Sequence, residues 1–205
     1  MVEVRPFRPT DIEALYAIAL ATGDAGADAF AMYRDKRLVG EVYAAPYATL
    51  SPQTAFVVED ANGVAGYIVG ALDTRAFEAR LEADWWPALR RVHADPGGDY
   101  FAAPPDDRLR WLIHRPPRAS TALVTAFPSH LHINLLPRLQ GQGLGRRLID
   151  LWLQTVRGLG SPGAHLGVNQ ANHRAIRFYR AYGLSEPSFD RPPPPGVIWF
   201  ASELR

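Results

Sequence analysis

At 205 residues and 47% hydrophobic content, the chain holds enough material for one sizeable domain and too little for two full ones. Its 22 basic and 21 acidic residues leave a formal net charge of +1, which removes the electrostatic case for nucleic acid or an anionic membrane as the main partner. With no cysteine, the chain has no disulfides, no thiolate metal site and no cysteine nucleophile. No uncharged apolar run reaches ~18 residues, and the opening "MVEVRPFRPTD" is charged where a signal core would be apolar, so the expected protein is cytoplasmic.

In chain order, "VEVRPF" (2–7) reads as a strand. "TDIEALYAIALATG" follows as a helix, with Thr10 and Glu13 at capping-box spacing and Ile12, Leu15, Ile18 and Ala19 on one face. A second helix is expected in "ADAFAMYRDK" (27–36), and a loop over "EVYAAPYATLSPQ" (41–53). "TAFVVED" and "VAGYIVGALDT" form a hairpin around Asn62-Gly63, which supplies the positive φ of a tight turn. Phe77, Leu81, Trp85 and Leu89 make 75–94 helical, with a break or kink at Pro87. Residues 95–128, rich in proline around "DDRLRWLIH", read as an insertion holding a short helix. "HLHINLL" (130–136) is a strand, "GLGRRLIDLWLQTVRGLG" a helix, "AHLGVN" a strand, and "NHRAIRFYRAYG" a helix closed by Gly183. A final strand pair is expected in "LSEPSFD" and "VIWFASEL". The four prolines between them lie too near the end for an interdomain linker. The result is a single α/β domain over 1–205, with a mixed sheet of about seven strands and a parallel strand–helix–strand at its centre.

Three glycines at alternate positions, Gly141, Gly143 and Gly145, sit between that central strand and its helix. A Gly-rich turn feeding a helix presents free N–H groups, and the helix dipole adds roughly half a positive charge there. A Cβ would hold a phosphate off the backbone and resist positive φ. Gln140 and Gln142 offer neutral donors, and Arg146 can meet a phosphate from the rim. "GQGLGR" fits neither the dinucleotide fingerprint nor the P-loop. The plain alternative is a tight turn with no ligand.

The spacing Gln140-x-x-Gly143-x-Gly145 after "LHINLLP" resembles the acetyl-CoA-binding motif of the GNAT superfamily of N-acetyltransferases. "GVNQANHRAIRFYRAYGL" is similar to that superfamily's last helix. "FRPTDIEALYAIALATGDAGADA", "YATLSPQTAFVVEDANGVAGYIVGALDT" and "DWWPAL" resemble the acetyltransferase-like domains related to the C-terminal region of animal O-GlcNAc hydrolases. The resemblance implies two central parallel strands splayed apart, ending near Leu136 and Val168, with the pantetheine arm of acetyl-CoA between them. It implies that backbone groups of Leu135 and Leu136 pair with that arm, and that the amides from Gln142 through Gly143, Leu144 and Gly145 to Arg146 hold the pyrophosphate, beside Gln140 and Gly141. Asn172 either caps the last helix or bonds the cofactor. Tyr179 matches the tyrosine that protonates the leaving thiolate.

The base is open. His130, His132 and Asn134 alternate along one strand face, so any of them can point into the cleft. A histidine base is chemically reasonable at an unperturbed pKa of ~6.5, and so is a structural histidine. A zinc site at His130 and His132 lacks a third ligand, and no metal is expected. Asp24 and Asp28 either serve an acceptor amine or cap their loop. Tyr43, Tyr47, Trp85, Trp86 and Trp111 divide between core and acceptor-site wall, and the excursion at 95–128 lies on the acceptor side. The expected activity is acetyl transfer to an amine of a small molecule or protein, by a monomer or homodimer. The alternatives are a non-catalytic acetyl-CoA-binding module and a protein-interaction domain.

Overall fold

The computed structural model describes residues 2–188 and 195–204. Its strands are β1 (Glu3–Pro6), β2 (Phe56–Asp60), β3 (Gly63–Ala71), β4 (Ser129–Leu135), β5 (Gly163–Asn169) and β6 (Val197–Glu203), in one sheet of sequential order. Its helices are α1 (Ile12–Ala21), α2 (Leu38–Tyr43), α3 (Ala45–Leu50), α4 (Thr74–Arg80), α5 (Trp86–Val92), α6 (Pro105–His114), α7 (Thr121–Ala126), α8 (Leu144–Gly158) and α9 (His173–Tyr182). Adjacent strands are antiparallel except β4 with β5, which α8 connects.

Strand alternation separates two cores. Tyr67 and Val69 of β3 face α1, α2 and α3, with Leu15, Ile18 and Leu38. Ile68 faces the opposite way, into Leu148, Ile149, Trp152 and Val156 of α8 and Ile176 and Tyr179 of α9. Leu148, Trp152 and Val156 recur every four residues, so α8 buries one continuous stripe. Trp152 Nε1 also donates to the Thr54 carbonyl at 3.0 Å, fixing α8 to the start of β2.

Three expectations change. The helix expected over 27–36 is a run of turns, because side chains engage the backbone groups a helix would use. Asp28 accepts from the Phe30 N–H, and Asp106 of α6 accepts from the N–H groups of Arg34 and Asp35. The loop expected over 41–53 instead holds the second half of α2 and all of α3. Pro46 reads as a breaker, but it occupies the first turn of α3, where its missing N–H costs nothing. Among the described residues the sheet has six strands where about seven are expected. The segment expected as a strand over 184–190 contributes one bridge, Ser185 with Ala201, and its residues 189 and 190 lie outside the described residues, as do Pro192, Pro193 and Pro194. The kink at Pro87 takes the form of a π-helical turn, Leu81–Trp85, between α4 and α5.

β4 and β5 pair only at Ser129 with Ala164 and His130 with His165. β5 and β6, by contrast, stay in register from Gly163 to Asn169. Beyond His130 the two parallel strands therefore diverge, and a gap opens in the middle of the sheet.

Candidate functional site

The turn that begins at Gln140 lies beyond the C-terminal end of β4. Gly141 and Gly143 are left-handed, at φ of 74° and 75°, and a Cβ on either would meet nothing within 4 Å. Gly145 differs. A Cβ there would stand 3.2 Å from Phe178, so this third glycine permits close packing of α8 on α9. Among the described residues, no carbonyl or side chain accepts from the N–H groups of Gly141 through Arg146, and no side chain caps α8 at Gly143. The positive end of a helix dipole and several unpartnered amides lie together in one open turn, the setting in which an anion binds.

The neighbouring side chains turn inward. Gln140 donates from Nε2 to the Leu135 carbonyl at 2.7 Å and accepts from Arg174 of α9. Gln142 donates to the Arg138 carbonyl at 2.7 Å. Neither amide points outward as the sequence reading expects; both shape the turn and leave anion contact to the main chain. Arg146 lies over the Tyr182 ring, 4.8 Å from its centroid, and is anchored to α9.

Leu136 does not face the gap. Its N–H donates to the Ala65 carbonyl at 2.9 Å, and its carbonyl accepts from the Leu139 N–H at 2.9 Å. Because consecutive backbone groups point to opposite strand edges, Leu135 and Ile133 direct theirs toward β5, past the last β4–β5 pair. Ile133 escaped the sequence reading, although the two-residue alternation from Leu135 identifies it once the edge is known.

Asn172 accepts from the Ala175 N–H at 3.0 Å, so its side-chain oxygen caps α9. Tyr179 is buried against Phe200, with ring centroids 5.3 Å apart. Its hydroxyl has no partner among the described residues, yet no sealed side-chain oxygen there lacks one, so the oxygen reaches open space. Burial raises the Tyr179 phenol above its ordinary range, which keeps it protonated.

On the α1–α3 face of β4 the three polar residues are all engaged. Asn134 Nδ2 donates to Thr22 Oγ1 at 2.6 Å, and that hydroxyl donates to the Ile18 carbonyl, tying β4 to the end of α1. His130 Nε2 and His132 Nε2 each lie 3.1 Å from the Tyr47 hydroxyl. His130 Nδ1 lies 2.8 Å from Thr74 Oγ1. Burial, reinforced by His165, lowers His132 to about 4, and burial holds His130 well below the usual imidazole range. Both rings are neutral at pH 7. Tyr43 borders His132 at 5.8 Å between ring centroids, so Tyr43 and Tyr47 wall this side. Trp86 is core, and Trp85 donates to the Glu41 carbonyl at 3.0 Å. Trp111 of α6 meets the Tyr100 ring edge-on, with ring centroids 5.5 Å apart.

Asp24 is exposed and its backbone pairs with Ala27 in both directions. Asp28 takes the loop-capping role. This loop reaches α9 through Gly26, whose carbonyl accepts from Arg174 at 3.4 Å, the residue that also donates to Gln140 of the glycine turn. Loop, α9 and glycine turn thus meet at one mouth, with Tyr179 on one side of the sheet and His132 and Asn134 on the other.

The acetyltransferase (GNAT) family profile matches residues 27–184. Mouse protein O-GlcNAcase is 23% identical over 183 residues, covering 89% of this chain and 20% of that protein, so the chain spans about a fifth of the length of that curated relative. The crystal structure of SsHAT superposes with a TM-score of 0.91 at 36% identity, covering 100% of this chain and 98% of that one. YncA of Salmonella typhimurium, solved with its cofactor acetyl-CoA, shares the fold at a TM-score of 0.55 and 15% identity, with 100% and 95% of the chains covered.

Proposed function

Because the chain belongs to the GNAT acetyltransferase family, we propose that it moves an acetyl group from acetyl-CoA to an amine by direct attack in a ternary complex. The observation that carries this reading is the coincidence of unpartnered amides from Gly141 to Arg146 with the gap beside β4. That combination fits a diphosphate followed by an amide-bearing arm. The amides would hold the pyrophosphate, and the backbone groups of Ile133 with the N–H of Leu135, whose carbonyl Gln140 engages, would pair with the arm as an added strand does. Acetyl-CoA supplies the acetyl group: the amine nitrogen bonds the thioester carbon, the carbon–sulfur bond breaks, and CoA leaves as a thiolate.

The chain's own residues supply two proton sites. Tyr179, held protonated by burial, donates its hydroxyl proton to the departing sulfur. His132, neutral and half-buried beside Tyr43, takes the proton from the acceptor nitrogen. Asn134 offers its side-chain oxygen as a hydrogen-bond acceptor next to it. Exposed Asp24 stands on the loop at the mouth, where a carboxylate attracts a protonated amine before it enters.

Calorimetry with acetyl-CoA, then CoA release across an amine panel, tests the reading. Binding with turnover supports it, and no heat at millimolar ligand overturns it. Tyr179→Phe should lower kcat about 10²-fold while acetyl-CoA affinity stays within a few fold, since a positioned acid contributes ~10²–10⁴ and the hydroxyl has no structural partner to lose. Loss of binding in this variant would contradict the acid role.

A further inference from the structure

A carbonyl oxygen can only accept, and that fact fixes every proton along the buried chain beside β4. Thr74 Oγ1 lies 2.7 Å from the Pro128 carbonyl, so the single hydroxyl proton of Thr74 goes there. His130 Nδ1, 2.8 Å from the same hydroxyl oxygen, must then be the donor to it. The neutral His130 ring therefore carries its proton on Nδ1 and accepts at Nε2. Tyr47 is the group at that Nε2, and it gives its only proton there. Its oxygen accepts in turn from His132 Nε2 at 3.1 Å. Any other arrangement sets two bare nitrogens against one proton or two protons against each other. His132 is left as the Nε2–H tautomer with a lone pair on Nδ1. That nitrogen has no partner among the described residues, and no sealed side-chain nitrogen there is unpaired, so Nδ1 keeps some exposed surface.

We infer that Tyr47, Thr74 and His130 are positioning residues that hold His132 in the one tautomer whose Nδ1 accepts the proton of the attacking amine. The inference rests on the acetyltransferase reading for its chemistry, but not for its tautomers. In the step, a proton leaves the acceptor nitrogen and bonds Nδ1. His132 becomes an imidazolium that still donates Nε2–H to Tyr47, until solvent takes the proton from Nδ1. The chain orients and does not conduct. Passing the charge inward would make His130 a cation, and burial beside His132 and His165 opposes that. Three elements contribute: α3 brings Tyr47, α4 brings Thr74, and β4 brings both histidines. The ring of Tyr47 is held by stacking on Phe77 at 4.5 Å, so Tyr47→Phe removes the hydroxyl and keeps the packing.

Ring-nitrogen NMR of the uniformly ¹⁵N-labelled full chain reads this without turnover. The expected spectrum has protonated Nε2 on His132 and protonated Nδ1 on His130. His165 is an internal reference, since its Nδ1 faces the Phe127 carbonyl at 2.7 Å and must also be protonated. A His132 protonated on Nδ1, or a His130 protonated on Nε2, overturns the inference. Tyr47→Phe should mix the His132 tautomers and lower kcat at least about tenfold, with KM for acetyl-CoA unchanged. Thr74→Val should release the Nδ1–H preference of His130, and it decides the question if Tyr47→Phe does not fold. A pure Nε2–H His132 in folded Tyr47→Phe would refute the chain. If the wild type binds acetyl-CoA but releases no CoA with any amine, the catalytic reading fails while the ring spectra still decide the tautomers.

Discussion

His132 and His130 make the folded state sensitive to acid in a direction that can be worked out. Both rings are held below the ordinary imidazole range by burial, His132 to about 4. Between about 4 and 6.5 the unfolded chain binds protons that the folded chain refuses. Stability from these rings is therefore complete above the unfolded value and is lost as pH falls toward the folded one. A shift of this size on His132 alone corresponds to at most about 3 kcal/mol, and His130 adds in the same direction. Urea midpoints measured from pH 7 to pH 4.5 should fall steadily, and His132→Gln should flatten the curve. A midpoint independent of pH would show the rings to be solvated. At this scale the sequence is only half legible. The alternation of His130, His132 and Asn134 announces a polar strand face, but the group that links the two rings does not announce itself. Tyr47 lies in a segment whose alanines and proline read as loop, and its distance in sequence from His132 hides the contact.

The loop after β4 is legible because its determinants are local. Glycines at alternate positions require no knowledge of distant partners, and the structure separates their roles by φ and by neighbours. Gly143 is left-handed and faces empty space, whereas Gly145 has an ordinary helical φ and faces Phe178. Gly143→Val should abolish acetyl-CoA binding, because a branched side chain would occupy the space in front of the free amides. It should also lower stability by about 1–2 kcal/mol or more, the cost of a side chain at positive φ. Calorimetry on a variant shown by circular dichroism to be folded checks this, and normal binding would refute the assignment of the turn. Gly145→Val should act differently, costing stability through the α8–α9 contact. The pair α2–α3 is the reverse case. There the proline that suggests a break marks a helix start, and the difference depends on how Ala44, at φ −135° and ψ −62°, turns the chain before it.

For the whole molecule, the gap between β4 and β5 interrupts the one sheet among the described residues. Strands β1 to β4 and strands β5 and β6 are joined by two paired positions, by α8, and by packing on its face. A ligand that pairs with Ile133 and Leu135 and also occupies the glycine turn would fill that interruption with hydrogen bonds. Binding to the folded state alone adds RT ln(1 + [L]/Kd), about 2.7 kcal/mol at a hundredfold excess over Kd. For a chain of this size each kcal/mol raises Tm by about 2–4 °C, so saturating CoA should raise it by about 5–10 °C. Hydrogen exchange locates the effect. The amides of Ile133, Leu135 and residues 141–146 should slow with CoA, while those of β1 and β2 remain unchanged. Inorganic pyrophosphate, which has no arm, should slow residues 141–146 and leave Ile133 and Leu135 as they were. Protection of Ile133 by pyrophosphate alone would mean that the turn and the gap move together. Protection by CoA at the turn without any at Ile133 and Leu135 would mean that the arm takes another path, and the added-strand geometry would have to be abandoned.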